Sequence, residues 1–287
     1  MRAHRRVKVP ELPEAEVTAM QLQSCLAGQR LAHIQVSRRD IIREGVDSID
    51  WYPGSIVRSV IRQGKSVVLE MERTSHRRYL VAELGMTGLL LLPQAIVKHP
   101  QHVHVVITFD QSACYTLRYW NPRRFGRISL LDPQGLERYV TRRFGSDPLV
   151  ITQEDFVLLL KRYRRRLKPL LMHQQTIAGI GNIYANEILF RSAIHPNTIA
   201  SQLKVATARR LHFTMQEVLR EAIRSGGSSV KDFLAPNGSL GSYKEHHLVY
   251  GKENRPCLNR CGSLIQRLKS ERSSFFCPTC QKDRCSP

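Results

Sequence analysis

The chain has 287 residues, 42% hydrophobic and 24% charged, enough apolar material for two or three domains with cores of their own. Its 44 Lys and Arg against 24 Asp and Glu give a formal charge of +20, which draws polyanions by long-range attraction and counterion release; nucleic acid is the first candidate, and charge alone does not exclude an anionic membrane surface or a ribosome. No apolar run reaches the length of a membrane span, and the start, MRAHRRVKV, lacks the apolar core of a secretory signal and is short for an organelle transit peptide.

Residues 1–9 form a basic extension ahead of PELPEAEV. Residues 13–27 then place Ala15, Val17, Ala19, Met20, Leu22 and Leu26 at helical spacing. From about 31 to 131 the period changes to two. Val67, Leu69 and Met71 alternate with Val68, Glu70 and Glu72; Val103, Val105, Ile107 and Phe109 alternate with His104, Val106, Thr108 and Asp110; Tyr115, Leu117 and Tyr119 repeat the pattern. Such alternation predicts half-buried strands, hence a β-sandwich or barrel. Two turns interrupt it. GMTG at 85–88 sets Met86 on a Gly-flanked turn, where it either presents an apolar side chain or fills a gap in the core. WNPRRFG at 120–126 offers two cations for phosphates and a ring able to enter a base stack.

FGSDPLV at 144–150 reads as a linker, because Asp147-Pro148 disfavours helix. Helical spacing follows. KRYRRRLKP at 161–169 supplies six cations in nine residues, either a phosphate-binding cluster or a solvated helix face. GIGN at 179–182 is a tight turn feeding a helix that starts near Ile183. Its amides suit phosphate, although the same turn also serves as a plain helix–helix connection. Leu211, Met215, Val218, Leu219 and Ala222 form one helical stripe, stopped by Gly226-Gly227. From about 245 the chain is short, Cys-rich and strand-like.

Five of the seven cysteines fall between Cys257 and Cys285; Cys25 and Cys114 stand apart and read as buried, inert thiols. Cys257 and Cys261, then Cys277 and Cys280, make two pairs separated by fifteen residues, a spacing that can close a tetrahedral four-thiolate site for one structural Zn2+. The alternative is a set of free thiols, which a segment with so little core tolerates poorly. Cys285 is left outside the set. Clustered cysteines of this kind point to a reducing compartment rather than a secreted disulfide framework. RLKSERSSFF between the pairs predicts a hairpin with a basic tip.

PELPEAEV, GMTG, NPRRFG, GIGNIYANEILF, GGSSVKDFL and the four-cysteine segment, in this one order, resemble the Fpg/Nei family of formamidopyrimidine-DNA glycosylases from Pro10 to about Lys282. The resemblance implies an α+β multidomain fold: a catalytic β-sandwich flanked by helices (10–143), a helix–two-turn–helix domain (148–230), a lesion-covering loop and connector (231–250) and a zinc finger (251–287). It implies that double-stranded damaged DNA lies in the cleft between the halves, with the lesion base flipped out at an unstacking cost of about a few kcal/mol. The implied activity is base-excision repair of oxidised purines, 8-oxoguanine and formamidopyrimidines, with associated strand cleavage at the abasic site. The alternatives are a Nei-like preference for oxidised pyrimidines and a non-enzymatic DNA- or RNA-binding zinc protein. A monomer with no membrane partner, working on the nucleoid in a bacterial cytoplasm, is the implied setting.

By the same resemblance Pro10 is the nucleophile. Its secondary amine attacks the sugar C1′, and the resulting iminium acidifies C2′ so that elimination cuts the strand. Glu11 matches the family's catalytic acid/base, although a carboxylate there also suits the helix dipole. Glu14 matches a second carboxylate beside the site, for which capping is a sufficient role. Lys65 matches a lysine for proton transfer and phosphate contact, and Arg272 a zinc-finger arginine that supports elimination. Met86, Arg123 and Phe125 match the set that fills the gap left by the flipped base. His102, Arg124, Arg164, Lys168 and Asn182 are implied phosphate contacts, with Arg164 standing where relatives often have Lys. Two departures stand out. The first Cys pair, CLNRC, has one residue more than the second, CPTC, and Pro10 is preceded by nine residues, so its nitrogen is an amide as written. Removal of Met1 does not free it, because Arg2 is too large for the usual aminopeptidase. The expectation is initiation at Val9 through a GUG codon, or proteolytic trimming. The alternative is a retained extension on a DNA binder without lyase activity.

Overall fold

A computed structural model describes residues 10–97, 99–110, 115–228, 233–268 and 272–282. The extension at 1–9, Cys114 and Cys285 lie outside the described residues. The chain separates into two units, one built from the residues up to Arg142 with 225–244, the other from 143–224 with the residues after 244.

In the first unit the apolar spacing after Pro10 forms α1 (Leu12–Leu26), whose Ala15, Ala19, Leu22 and Leu26 enter the core; Met20, off that stripe, is exposed. Nine strands follow: β1 (Leu31–Val36), β2 (Ile42–Glu44), β3 (Ile56–Gln63), β4 (Ser66–Arg73), β5 (His76–Glu83), β6 (Leu89–Leu91), β7 (Val103–Phe109), β8 (Thr116–Trp120) and β9 (Ile128–Leu131). They form a four-stranded sheet, β1-β7-β8-β6, and a five-stranded sheet, β2-β9-β5-β4-β3, antiparallel except for the β2–β9 pair. One core joins them: Val105, Ile107, Phe109 and Leu117 from the first sheet cluster with Val67, Leu69, Met71, Leu80 and Ala82 from the second. The register pairs Leu69 with Leu80 and Val67 with Ala82, which is what period-two patterning demands of a β-sandwich.

Two details differ from strict alternation. Val68 and its cross-strand partner Val81 are also fully buried, on the opposite face of their sheet. A helix, α2 (Pro133–Arg143), reaches that face: the Tyr139 hydroxyl lies 2.9 Å from Ser66 Oγ and donates to Glu83 Oε1 at 3.3 Å. Tyr115 precedes β8 and is exposed rather than inward-facing, and Cys25 is only half-buried against the core.

Residues 225–244 return to this unit. Ser228 N donates to Glu14 Oε1 at 2.7 Å, Leu92 N donates to Pro236 O at 2.8 Å, and Phe233 packs against Leu89, Leu91 and Ala95.

The second unit is helical. Thr152 caps α3 (Gln153–Lys161) by accepting from Asp155 N at 3.1 Å. The basic run is not one helix face: α3 ends at Lys161, residues 162–166 connect, and α4 (Leu167–Leu171) follows. GIGN leads into α5 (Asn182–Arg191), buried from Ile183 to Phe190. The stripe of α6 (Val205–Arg224) is buried as its spacing predicts, through Leu211, Met215, Val218, Leu219 and Ala222. The Cys-rich end forms a hairpin of β10 (Gln266–Leu268) and β11 (Ser274–Phe276), whose Phe275 clusters with Phe190, Val249 and Ile265.

Candidate active site and nucleic-acid interface

Pro10 and Glu11 are buried at the start of α1, where the chain enters the helix through an extended Glu11 at the N-cap. Glu14 turns back one helical turn to accept from Glu11 N at 2.8 Å, the carboxylate half of a capping box. Its other oxygen takes the Ser228 amide, so one side chain, 2% exposed, fixes the backbone at both Glu11 and Ser228. Gly227 is required there, because a Cβ would stand 2.9 Å from Glu14 Oε1 and φ is +83°. Lys65 occupies the two-residue turn between β3 and β4, whose first position, Gly64, takes φ +58°. Arg62, three residues earlier, pairs with Glu16 of α1 at 2.6 Å and ties that hairpin to the helix.

The GMTG and NPRRFG turns touch. A Cβ on Gly85 would lie 2.4 Å from Gly126 N, so only glycine lets the two backbones meet. Asn121, fully buried, organises the contact. Its Oδ1 accepts from Arg124 N at 3.0 Å and Thr87 Oγ1 at 3.4 Å, and its Nδ2 donates to Tyr119 Oη and Gly126 O. His104 Nε2 donates to the Asn121 carbonyl at 3.0 Å, and burial pushes the His104 imidazole below its ordinary pKa. The result is an exposed tip: Arg123 lies over the Phe125 ring at 4.9 Å, Phe125 is 53% exposed, and Met86 sits half-buried on the adjoining turn. Arg124 pairs with Asp40 at 3.0 Å, and half-buried His102 stacks edge-on with Trp120. Thus Met86, Arg123, Phe125, Arg124 and His102 are borne by two abutting turns and their neighbouring strands. Asn121, which holds them, was not singled out by sequence; the Asn121-Pro122 turn signal was its only mark.

In the second unit, Arg166, Lys168, His173, Asn197 and Arg272 line a cavity of about 440 Å3. Lys168, expected as a phosphate contact, is engaged with protein backbone here. It is 3% exposed, and its ammonium donates to Arg272 O at 3.1 Å and Ser273 O at 2.9 Å, so it holds the backbone that carries the exposed Arg272. Arg164 is exposed on the 162–166 connection, and Arg166 lines the cavity instead. Asn182 is the first residue of α5; its carbonyl accepts from Asn186 Nδ2, and Asn186 Oδ1 in turn accepts from Phe275 N at 2.7 Å. Glu187, also unmarked by sequence, is fully buried and accepts from the amides of Leu248, Val249 and Tyr250. Burial pushes its carboxyl above the usual range, against the pull of those three donors.

The four sulfurs of Cys257, Cys261, Cys277 and Cys280 all lie within 4.8 Å of one another, with Cys257–Cys280 at 3.8 Å and Cys261–Cys277 at 3.4 Å. A tetrahedral tetrathiolate with Zn–S near 2.3 Å has edges of about 3.8 Å, so the set fits such an ion. Arg260 within CLNRC and Gly262 just after it both take positive φ. Burial pushes the Cys257 thiol up to about 12, whereas the backbone amide of Ser263 lowers Cys261 to about 7.

Comparison with known proteins agrees with this arrangement. Residues 9–128 match the formamidopyrimidine-DNA glycosylase N-terminal domain, 144–234 its H2TH domain, and 256–282 the zinc finger found in FPG and IleRS. The formamidopyrimidine-DNA glycosylase of Solibacter usitatus is 40% identical over 279 residues, covering 96% of this chain and all of that one. MutM (Fpg) of Thermus thermophilus superposes with a TM-score of 0.83 at 34% identity, over 97% of this chain and all of that one. Lactococcus lactis Fpg, solved with DNA containing an abasic site, gives 0.83 at 30% identity over 95% of this chain and all of that one. The chain belongs to the formamidopyrimidine-DNA glycosylase family.

Proposed function

We propose that this protein is a base-excision-repair DNA glycosylase that removes 8-oxoguanine and formamidopyrimidines from duplex DNA and then cleaves the strand as an abasic-site lyase. The observation that carries the reading is the pinning of Pro10-Glu11 at a buried helix start, in the same unit as the exposed Met86, Arg123 and Phe125 tip.

In this mechanism Met86, Arg123 and Phe125 occupy the space vacated by the extruded nucleotide. His102, Arg124, Arg164 and Asn182 engage backbone phosphates, and Lys168 acts indirectly by holding the Arg272 segment. The Pro10 amine adds to C1′ while the C1′–N bond to the lesion base breaks. Glu11 and Lys65 move protons between the leaving base, the opening sugar ring and solvent. Because the amine is secondary, the adduct collapses to an iminium whose positive charge acidifies C2′. Loss of a C2′ proton expels the 3′ phosphate, an elimination to which Arg272 lends cationic support. The four cysteines would hold one Zn2+ that closes the finger; with every position filled by thiolate, the ion supports the fold and leaves no open position for substrate. Its setting is DNA in a bacterial cytoplasm.

This chemistry needs a free amine at Pro10. Intact mass of the protein expressed from its own gene, combined with borohydride trapping on 8-oxoguanine duplex, tests it. The expected result is a mass starting at Pro10 and a covalent protein–DNA adduct. A retained 1–9 extension with no adduct would reduce the protein to a lesion binder.

A further inference from the structure

We propose that the second unit carries a further phosphate site, formed by Lys204, Arg210 and Lys282, which holds the backbone of duplex DNA beyond the stretch that bears the lesion. The proposal rests on the reading of the protein as a DNA glycosylase. Lys204, Thr207, Arg210 and Lys282, with Thr198, line a cavity of about 360 Å3 to which, among the described residues, no carboxylate contributes. The cations arrive from separate places. Lys204 directly precedes α6, Arg210 lies in its second turn, and Lys282 closes the finger. Two of them are held there. Gln281, fully buried, donates to Ile194 O at 2.7 Å and accepts from Cys277 N at 3.0 Å, which sets Lys282 at this wall; Arg210 donates to Ser192 O at 3.2 Å. Elsewhere in the unit, Arg191 pairs with Glu221 and Arg267 with Glu253. Here three exposed like charges surround one opening, an arrangement that an anion stabilises.

The choice of DNA backbone over a free phosphate follows from what lies next door. Pro196 and Asn197 line the cavity of Arg166, Lys168 and Arg272, whereas His195 and Thr198 of the same loop line this one. That loop is fixed between them, since Leu167 N donates to Thr198 O at 2.7 Å. One peptide loop therefore separates two cationic cavities. A polyanion with repeating phosphates can serve both, whereas a single small anion fills only one.

The test compares Lys204→Glu/Lys282→Glu with Arg220→Glu/Arg255→Glu, an equal charge change at exposed positions outside the cavity. Binding is measured on a short lesion duplex and on the same duplex extended by a helical turn at each end. Wild type is expected to gain affinity on extension. The cavity variant should lose that gain, about fivefold to tenfold, with the salt slope on the long duplex falling by about 2, while base release from the short duplex is unchanged and the control pair keeps the gain. Equal loss in both pairs, or no loss in either, overturns the site. Saturable binding of inorganic phosphate that disappears in the cavity variant, without a length effect, assigns it to a small anion and overturns the DNA occupant. Absence of base release by wild type on the short duplex would instead defeat the glycosylase reading.

Discussion

At the scale of single residues, the proposed mechanism gives Glu11 a reacting role and Glu14 a holding one, although Glu11 also accepts from the Glu14 amide as the other half of the capping box. Glu11 stands beside Pro10, while both oxygens of Glu14 are engaged by backbone amides. A Glu11→Gln variant should therefore fold normally and lose base excision by about 10²–10⁴-fold, the usual worth of a general acid/base. It should keep part of its cleavage at preformed abasic sites, where no base has to leave. Gel assays on lesion and abasic duplexes check this, and full excision by the variant removes Glu11 from the mechanism. Arg123 makes the complementary case. Its guanidinium lies over an exposed ring and, among the described residues, makes no hydrogen bond or ion pair, so Arg123→Ala should shift stability by no more than about 0.5 kcal/mol. Cutting of lesion duplex should still fall about tenfold or more, equivalent to ~1.4 kcal/mol of binding to the extruded state. Equal cutting by variant and wild type sinks the wedge role.

At the scale of elements, the abutting GMTG and NPRRFG turns depend on Asn121. Asn121→Ala removes the side-chain hydrogen bonds to the Arg124 amide, Thr87 Oγ1, Tyr119 Oη and the Gly126 carbonyl, at about 0.5–1.5 kcal/mol each, and should lower lesion binding together with the melting temperature. His104 gives the same turn a pH dependence. Its folded pKa is depressed, so the unfolded chain takes up the proton first as pH falls. The stability it contributes is present above the unfolded value near 6.5 and is lost as pH drops through the lower folded value. Melting temperature against pH should thus fall more steeply below about 6.5 in wild type than in His104→Gln, and parallel curves would contradict the assignment. Such supports were hard to read from sequence for a physical reason. Alternation and helical spacing report which face is apolar, and they predicted the sandwich strands, α1 and α6. They carry no signal for a buried amide that bonds several backbone and side-chain partners at once, as Asn121 does, or for Glu187 reaching three amides some sixty residues on. They also misplace residues at element ends, where the face is no longer fixed: Tyr115 lies one residue before β8 and points to solvent. The residues assigned to reaction in the proposed mechanism come from motif order alone, whereas Lys168 was legible only as a charge, not as the anchor of Arg272.

At the scale of the whole molecule, a net charge of +20 favours DNA binding by both units, but each unit keeps its own core, and the finger is the part with least of one. Its apolar cluster comprises Phe190, Val249, Ile265 and Phe275 around the buried Cys257 and Cys277. Four sulfurs packed within 4.8 Å are favourable as thiolates only with a cation among them; without it, Cys257 is forced to stay a thiol by burial while Cys261 ionises near neutrality. Chelation at neutral pH should then unfold residues 256–282 and free the segment that Lys168 grips, releasing Arg272, while the β-sandwich, which shares none of these residues, stays folded. Hydrogen exchange would show lost protection at the Phe275 and Cys277 amides, now bonded to Asn186 and Gln281, with protection unchanged at β4 and β5. DNA affinity should fall about tenfold or more, since the proposed contacts of Arg272 and Lys282 are lost with the finger, and should return when Zn2+ is restored. Metal-free protein that keeps both its amide protection and its affinity would show that the cysteine cluster is not what holds the finger.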